Sequence, residues 1–117
     1  MALKRMVLEI GMGNDLHGGD YTKAAVRAVE DAVHHSSMSF ARSLGLNWDD
    51  IQVKVTIGVQ APEMIDADAV KAALPSGQVS VNAVKGGLAV RDPAVEDRAV
   101  IAPAAVEVMV DSSNFPD

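Results

Sequence analysis

No cysteine occurs anywhere in the chain. Its absence excludes disulfides, thiolate metal sites and cysteine nucleophiles, and leaves the cytosol as the default compartment. Aromatic residues are nearly as scarce, with one Trp, one Tyr and two Phe among 117 residues, so a core has to be assembled from Val, Ala, Leu, Ile and Met. Basic residues are outnumbered, ten Lys and Arg against sixteen Asp and Glu, and they nowhere form a run. The resulting net charge of -6 argues against nucleic acid as a partner, because phosphate binding draws on clustered cations. No segment approaches the roughly 18 apolar residues of a membrane span. The apolar stretch behind Lys4 and Arg5 is broken by Glu9, which makes it too short and too charged for a signal peptide. These absences lead to the expectation of a soluble, cytoplasmic, single domain over residues 1–117 with no membrane partner.

What is present has an alternating order of strands and helices. KRMVLEI, residues 4–10, reads as a first strand, ended by Gly11 and Gly13. Asp20 is placed to cap a helix over residues 21–44, in which Val26, Val29, Val33, Phe40 and Leu44 share one sector with Thr22 and Ser37 at about 100° per residue. IQVKVTIGV, 51–59, alternates as a strand, and DADAVKAAL, 66–74, reads as a short helix capped by Asp66 or Asp68. QVSVNAV forms a third strand that bulges or turns at Gly86 and Gly87 before LAV. Residues 98–111 are a β-branched stretch in which Pro103 predicts a bulge or an edge. The fold class is therefore α+β: a two-layer sandwich of a mixed four- or five-stranded sheet with one long and one short helix on one face. Val81, Ala83, Val100, Ala102, Val106, Val108 and Val110 exceed what two helices cover. A closed homo-oligomer follows, with bare sheet faces meeting around a symmetry axis, a trimer before a dimer.

The chemistry concentrates in GMGNDLHGGD, residues 11–20. A glycine-rich turn between a strand and a helix start exposes backbone amides beside the positive end of the helix dipole, which favours an anion or a developing negative charge. Gly11, Gly13, Gly18, Gly19 and Asp20 are the ligand-binding candidates on this ground, joined by Gly86 of the second glycine cluster. Leu16 stands where a dinucleotide fingerprint needs its third glycine, and no Gly-Lys-Ser/Thr follows, so no nucleotide or other cofactor is expected. Asp15 and His17 are two apart and point the same way in extended backbone, which fits a carboxylate orienting an imidazole for proton transfer near neutral pH. The competing reading is structural: the side chains satisfy the loop's own amides and Asp20 only caps. Lys85, beside Gly86, is the third catalytic candidate, an ammonium for an anionic ligand or a base, against an ordinary exposed lysine. Asp15 and His17 fall short of a metal site unless Asp20, Glu107 or a neighbouring subunit contributes, and none is assigned. Glu107 sits in an apolar strand, facing water or paired with Lys85 or Arg98. His34, Ser37 and Glu30 suggest a triad, but the ordinary reading is a small serine on the packed face.

Gly11, Gly13, Asp15, His17 and Gly18 reproduce a Gly-x-Gly-x-Asp-x-His-Gly pattern, and the chain resembles the short "Lin" family of conserved hypothetical bacterial proteins, found with an N-terminal extension in plants. The likeness extends to VNAVKGGLAV and AAVEV, so it covers most of the chain. It implies kinship and raises the weight on the loop, without a reaction. SSMSFARSLGL is in turn similar to serine-bearing segments of the ring-opening amidohydrolases of cyanuric acid and barbiturates, which repeat a comparable domain three times; that resemblance implies a hydrolase using Ser37 and Lys85. The expected function is a homo-oligomeric enzyme or binding protein for a small anionic, carbonyl or cyclic-amide metabolite. The alternative is a non-catalytic oligomerisation or interaction module.

Overall fold

The computed structural model describes residues 3–34, 51–74 and 78–111. Five strands, β1 (Leu3–Asp15), β2 (Ile51–Val59), β3 (Gln78–Lys85), β4 (Leu88–Asp92) and β5 (Asp97–Asp111), form one mixed sheet, accompanied by α1 (Tyr21–His34) and the short α2 (Ala67–Lys71). The sheet runs β1-β5-β2-β3, with β4 also on β5; only β2 and β3 are parallel. The architecture is thus the α+β sandwich expected from the pattern. The predicted helical residues 35–44 lie outside the described residues.

β5 is the spine, and its alternation decides the layers. Val100, Ala102, Ala104, Val106, Val108 and Val110 are buried, while the residues between them are half-buried. The buried set faces α1 and α2 together with Ile51, Val53, Val55 and Ile57 of β2. Val81 and Ala83 pair with Val55 and Ile57 and point the same way. The valines and alanines expected to be left bare are therefore the covered set. The bare face carries the opposite parity, including Leu8, Ile10, Met12 and Leu88, all exposed.

Pro103 makes neither a bulge nor an edge. It pairs with Met12, whose amide points away from β5 and donates to Asp31 Oδ2 at 3.0 Å. In an antiparallel ladder such a pair exchanges no hydrogen bonds, so the imide nitrogen of Pro103 also faces away from β1. On that side β2 ends its pairing at Ala104 and β4 begins at Ile101, leaving Pro103 at the junction where no ladder partner is required.

Gly11 and Gly13 correct the first strand. β1 continues through both to Asp15, paired throughout with β5. Their role is steric: a Cβ on Gly11 would collide with the backbone of Ala28 and Ala32, and one on Gly13 with the backbone of Ala24 and Ala28. The helix consequently seats its alanine ridge, Ala24, Ala28 and Ala32, flat on the strand, all three fully buried, while Val26 and Val33 stay only half-buried. The predicted valine stripe is displaced because backbone contact at two glycines outweighs the size of the flanking side chains.

Candidate functional site

The site forms where the end of β1 and the start of β5 meet. Residues 16–20 leave β1 through Gly18 (φ 94°) and Gly19 (φ 63°), left-handed conformations that glycine adopts without strain. The turn brings Asp20 to the head of α1, where its Oδ1 accepts from the amide of Lys23 at 3.0 Å, the cap expected from the sequence.

Asp15 and His17 do not pair as the spacing suggested. Asp15 is buried, with its Oδ2 accepting from the amide of Asp20 at 2.9 Å and its Oδ1 3.7 Å from Arg27 Nη1. Arg27 donates to the carbonyl of Asn14 at 2.7 Å. Asp15 thus ties the loop to α1 and is turned away from His17.

The partner of His17 is Asp97, which the sequence reading missed. His17 Nδ1 lies 2.9 Å from Asp97 Oδ2, while Asp97 Oδ1 accepts from the amides of Gly18 and Arg98, each at 2.8 Å. Register supplies the missing signal: Asp15 pairs with Val100, and continuing three residues past that pair sets Gly18 opposite Asp97. The amide of Gly18, the imidazole of His17 and the amide of Arg98, in that order of weight, hold Asp97 at a pKa of about 2 against an ordinary 3.8.

This arrangement fixes the tautomer. A carboxylate ionised at neutral pH only accepts hydrogen bonds, so the shared proton sits on Nδ1 and the neutral ring presents the lone pair of Nε2. The His17 side chain is 87% exposed, so that nitrogen faces solvent. A depression of about 220 Å³ beside the ring is walled by Leu16, Val90 and Val95. A second, of about 310 Å³, is lined by Gly18 and Gly19 and by two acids and two bases, Glu96, Asp97, Arg91 and Arg98. Arg98 Nη1 donates to the Tyr21 hydroxyl at 3.1 Å, which steadies its guanidinium near the glycine turn.

Several candidates take other places. Gly11 and Gly13 pack against α1, and the amides of Gly18 and Asp20 are donated to Asp97 and Asp15, so these groups do not form the proposed backbone cradle. Lys85 and Gly86 line a different depression, with Ile10, Gly58 and Pro103, and the Gly86 amide donates to the carbonyl of Val59 at 2.9 Å. Glu107 pairs with Arg5 at 3.4 Å, in place of Lys85 or Arg98. Ser37, which the hydrolase likeness requires, lies outside the described residues. Among the described residues no group of three acidic, His or Cys side chains is gathered to hold a metal ion, and no helix is long and apolar enough to cross a membrane.

Comparison with known proteins points to kinship of the same extent. The model of a family of conserved hypothetical proteins, Lin0512_fam, matches residues 5–108. A crystal structure described as an FtsZ-like protein of unknown function, from Nostoc punctiforme, is similar with a TM-score of 0.83 and 34% identity, covering 95% of this chain and 98% of that one. No curated protein matches.

Proposed function

We propose, from the premise that the chain belongs to the Lin0512 family of conserved hypothetical proteins, that it binds a small anionic or carbonyl-bearing cytoplasmic metabolite at the turn between β1 and α1 and exchanges a proton with it through His17. The observation that carries this reading is an imidazole held at one nitrogen by an ionised carboxylate 2.9 Å away and left 87% exposed at the other. A contact whose imidazole is this open to water contributes little to stability, so His17 is poorly explained as a structural fastening. As a base with a fixed tautomer it has a purpose: Nε2 takes the proton, and Asp97 stabilises the imidazolium that forms. Arg98, steadied by the Tyr21 hydroxyl, supplies positive charge at the adjoining depression for a carboxylate or polarised carbonyl oxygen, while Arg91 there faces Glu96 at 3.9 Å and Asp97 is engaged by His17.

A thermal-shift screen of the purified protein against small carboxylates, keto acids and cyclic amides tests this reading. A ligand at 100 times its Kd adds about 2.7 kcal/mol of stability. His17→Ala and Asp97→Asn are expected to remove the ligand-induced shift or any turnover detected with the ligand, while the unliganded protein stays folded. Absence of a shift with every class, or shifts that both variants retain, favours the second reading, an interaction module whose turn only connects β1 to α1. A specific observation favours that alternative: Asp15 and the amides of Gly18 and Asp20 are already satisfied within the chain.

A further inference from the structure

The bare face of the sheet is apolar along its middle and charged at its ends. Along the ladders, Leu16 lies by Ala99 and Val90, then Asn14 by Ile101 and Leu88, then Met12 by Pro103, then Ile10 by Ala105 and Thr56. Charge borders these rows at both ends: Lys54 and Glu107 are cross-strand neighbours after Ile10, with Gln52, Gln78 and Arg5 beyond them, and Asp97 and Asp92 pair on the far side of Ala99 and Val90. Ile10, Met12, Leu16, Leu88 and Val90 are each between 56% and 62% exposed. With the half-buried residues between them they present on the order of 600 Å² of apolar surface, at the top of what a monomer leaves open. A stable interface takes roughly 800 Å² from each partner, so this patch with a polar rim is enough for one.

We propose that this face is where copies of the chain pack against one another in a closed assembly. Charge selects the occupant. The chain carries a net charge of -6, yet the apolar rows hold no charged residue: Lys54 and Glu107 stand opposite each other at one end, Asp92 and Asp97 border the other, and Lys85 lies to one side, next to Gly86. The central rows of two copies therefore meet without like charges opposed, the acids and bases lying at the rim. An anionic membrane or nucleic acid finds no cluster of cations there. A depression of about 360 Å³ opens on the same face, lined by Ile10, Val84, Pro103 and Ala105 with Lys85 at its edge, and floored by Gly58 and Gly86, which pack so closely that a Cβ on either would lie 3.4 Å from the other. It is shaped to receive an apolar side chain from the neighbour. The patch also runs through Leu16 and Val90 into the depression beside His17, so the neighbouring copy borders that site.

The test combines mass with local protection, on the full chain without ligand. Sedimentation equilibrium at about 100 µM is expected to give one species of three, or two, times 12.3 kDa. Met12 and Met64 are 60% and 63% exposed in the single chain, and only Met12 lies on the face. Under mild peroxide, peptide mapping is expected to show Met12 oxidised at least five times more slowly than Met64. Ile10→Asp and Leu88→Asp, on different strands, are expected to yield a folded monomer in which the two rates converge. A monomeric wild type overturns the proposal, as does an oligomer whose two methionines oxidise equally, which would place the interface elsewhere. Protection of Met12 that appears only with vesicles of anionic lipid would overturn it in favour of a membrane. The methionine rates decide the matter even where an Asp variant fails to fold.

Discussion

Replacing Gly13 with Ala tests the account of how α1 seats on the sheet. The added Cβ would collide with the backbone of Ala24 and Ala28 and lie 2.8 Å from the carbonyl carbon of Arg27. These are main-chain atoms, so no rotamer change relieves the contact; the helix has to lift, and Ala24, Ala28 and Val29, all fully buried, lift with it. Overpacking of this kind typically costs 1–3 kcal/mol. The opposing term, reduced freedom of the unfolded chain, returns only about 0.4–1 kcal/mol. A net loss of about 2 kcal/mol follows, which for a domain of this size lowers Tm on the order of 10 °C. Urea unfolding followed by circular dichroism measures it, as a lower midpoint at unchanged slope. Gly11→Ala is expected to behave alike, since its Cβ meets Ala28 and Ala32 in the same way. A variant within 0.5 kcal/mol of the wild type, or more stable, would refute the close-approach argument. Loss of ligand binding at full stability would return Gly13 to the site.

Three further outcomes follow from the geometry. Asp15→Ala removes a buried carboxylate that accepts from the amide of Asp20 and faces Arg27, and denaturant titration should show a loss of about 1–3 kcal/mol. Gly18→Ala has room, since its Cβ would come no nearer than 3.7 Å to Asp15, but the left-handed φ of 94° costs an L-residue roughly 1–2 kcal/mol; a neutral result would show that the turn adopts another conformation. Asp97 titrates at about 2 in the folded chain and near 3.8 unfolded, so between those values the unfolded chain binds more protons. Its contribution is complete above about pH 5 and is lost as pH falls through 3.8 towards 2. Asp97→Asn should flatten the acid limb of the stability profile in that window, and an unchanged limb would refute the assigned hydrogen bonds.

The fold was legible where side-chain period carries the information. Ile51, Val53, Val55 and Ile57 gave β2 its bounds, and Asp20 and Asp66 marked the helix starts they cap. Local reading failed where one segment's meaning depends on another. Gly11 and Gly13 look like a turn until Ala24, Ala28 and Ala32 are set against them at helical spacing. Pro103 looks like an edge until the strands on its far side are known to change at that residue. Asp97 is separated from His17 by 80 residues, so nothing near the loop announces it.

The two acids nearest the turn divide its requirements, and the division explains why sequence spacing chose the wrong one. A carboxylate that must fasten a loop is best buried, where its acceptor bonds face little competition from water; Asp15, 5% exposed, accepts from the amide of Asp20 in that setting. A carboxylate that must orient an exposed ring needs a rigid support and an open side. Asp97 has both, because two backbone amides grip Oδ1 while Oδ2 is left for Nδ1 of His17. Had Asp15 been the partner, the imidazole would have followed it towards the helix, and Nε2 would have lost its approach from solvent. The two removals should therefore differ in what they do to ligand binding: Asp15→Ala lowers the free energy of unfolding and keeps the ligand-dependent shift, whereas Asp97→Asn, besides flattening the acid limb, abolishes that shift. A shift lost in Asp15→Ala and kept in Asp97→Asn would reverse the assignment.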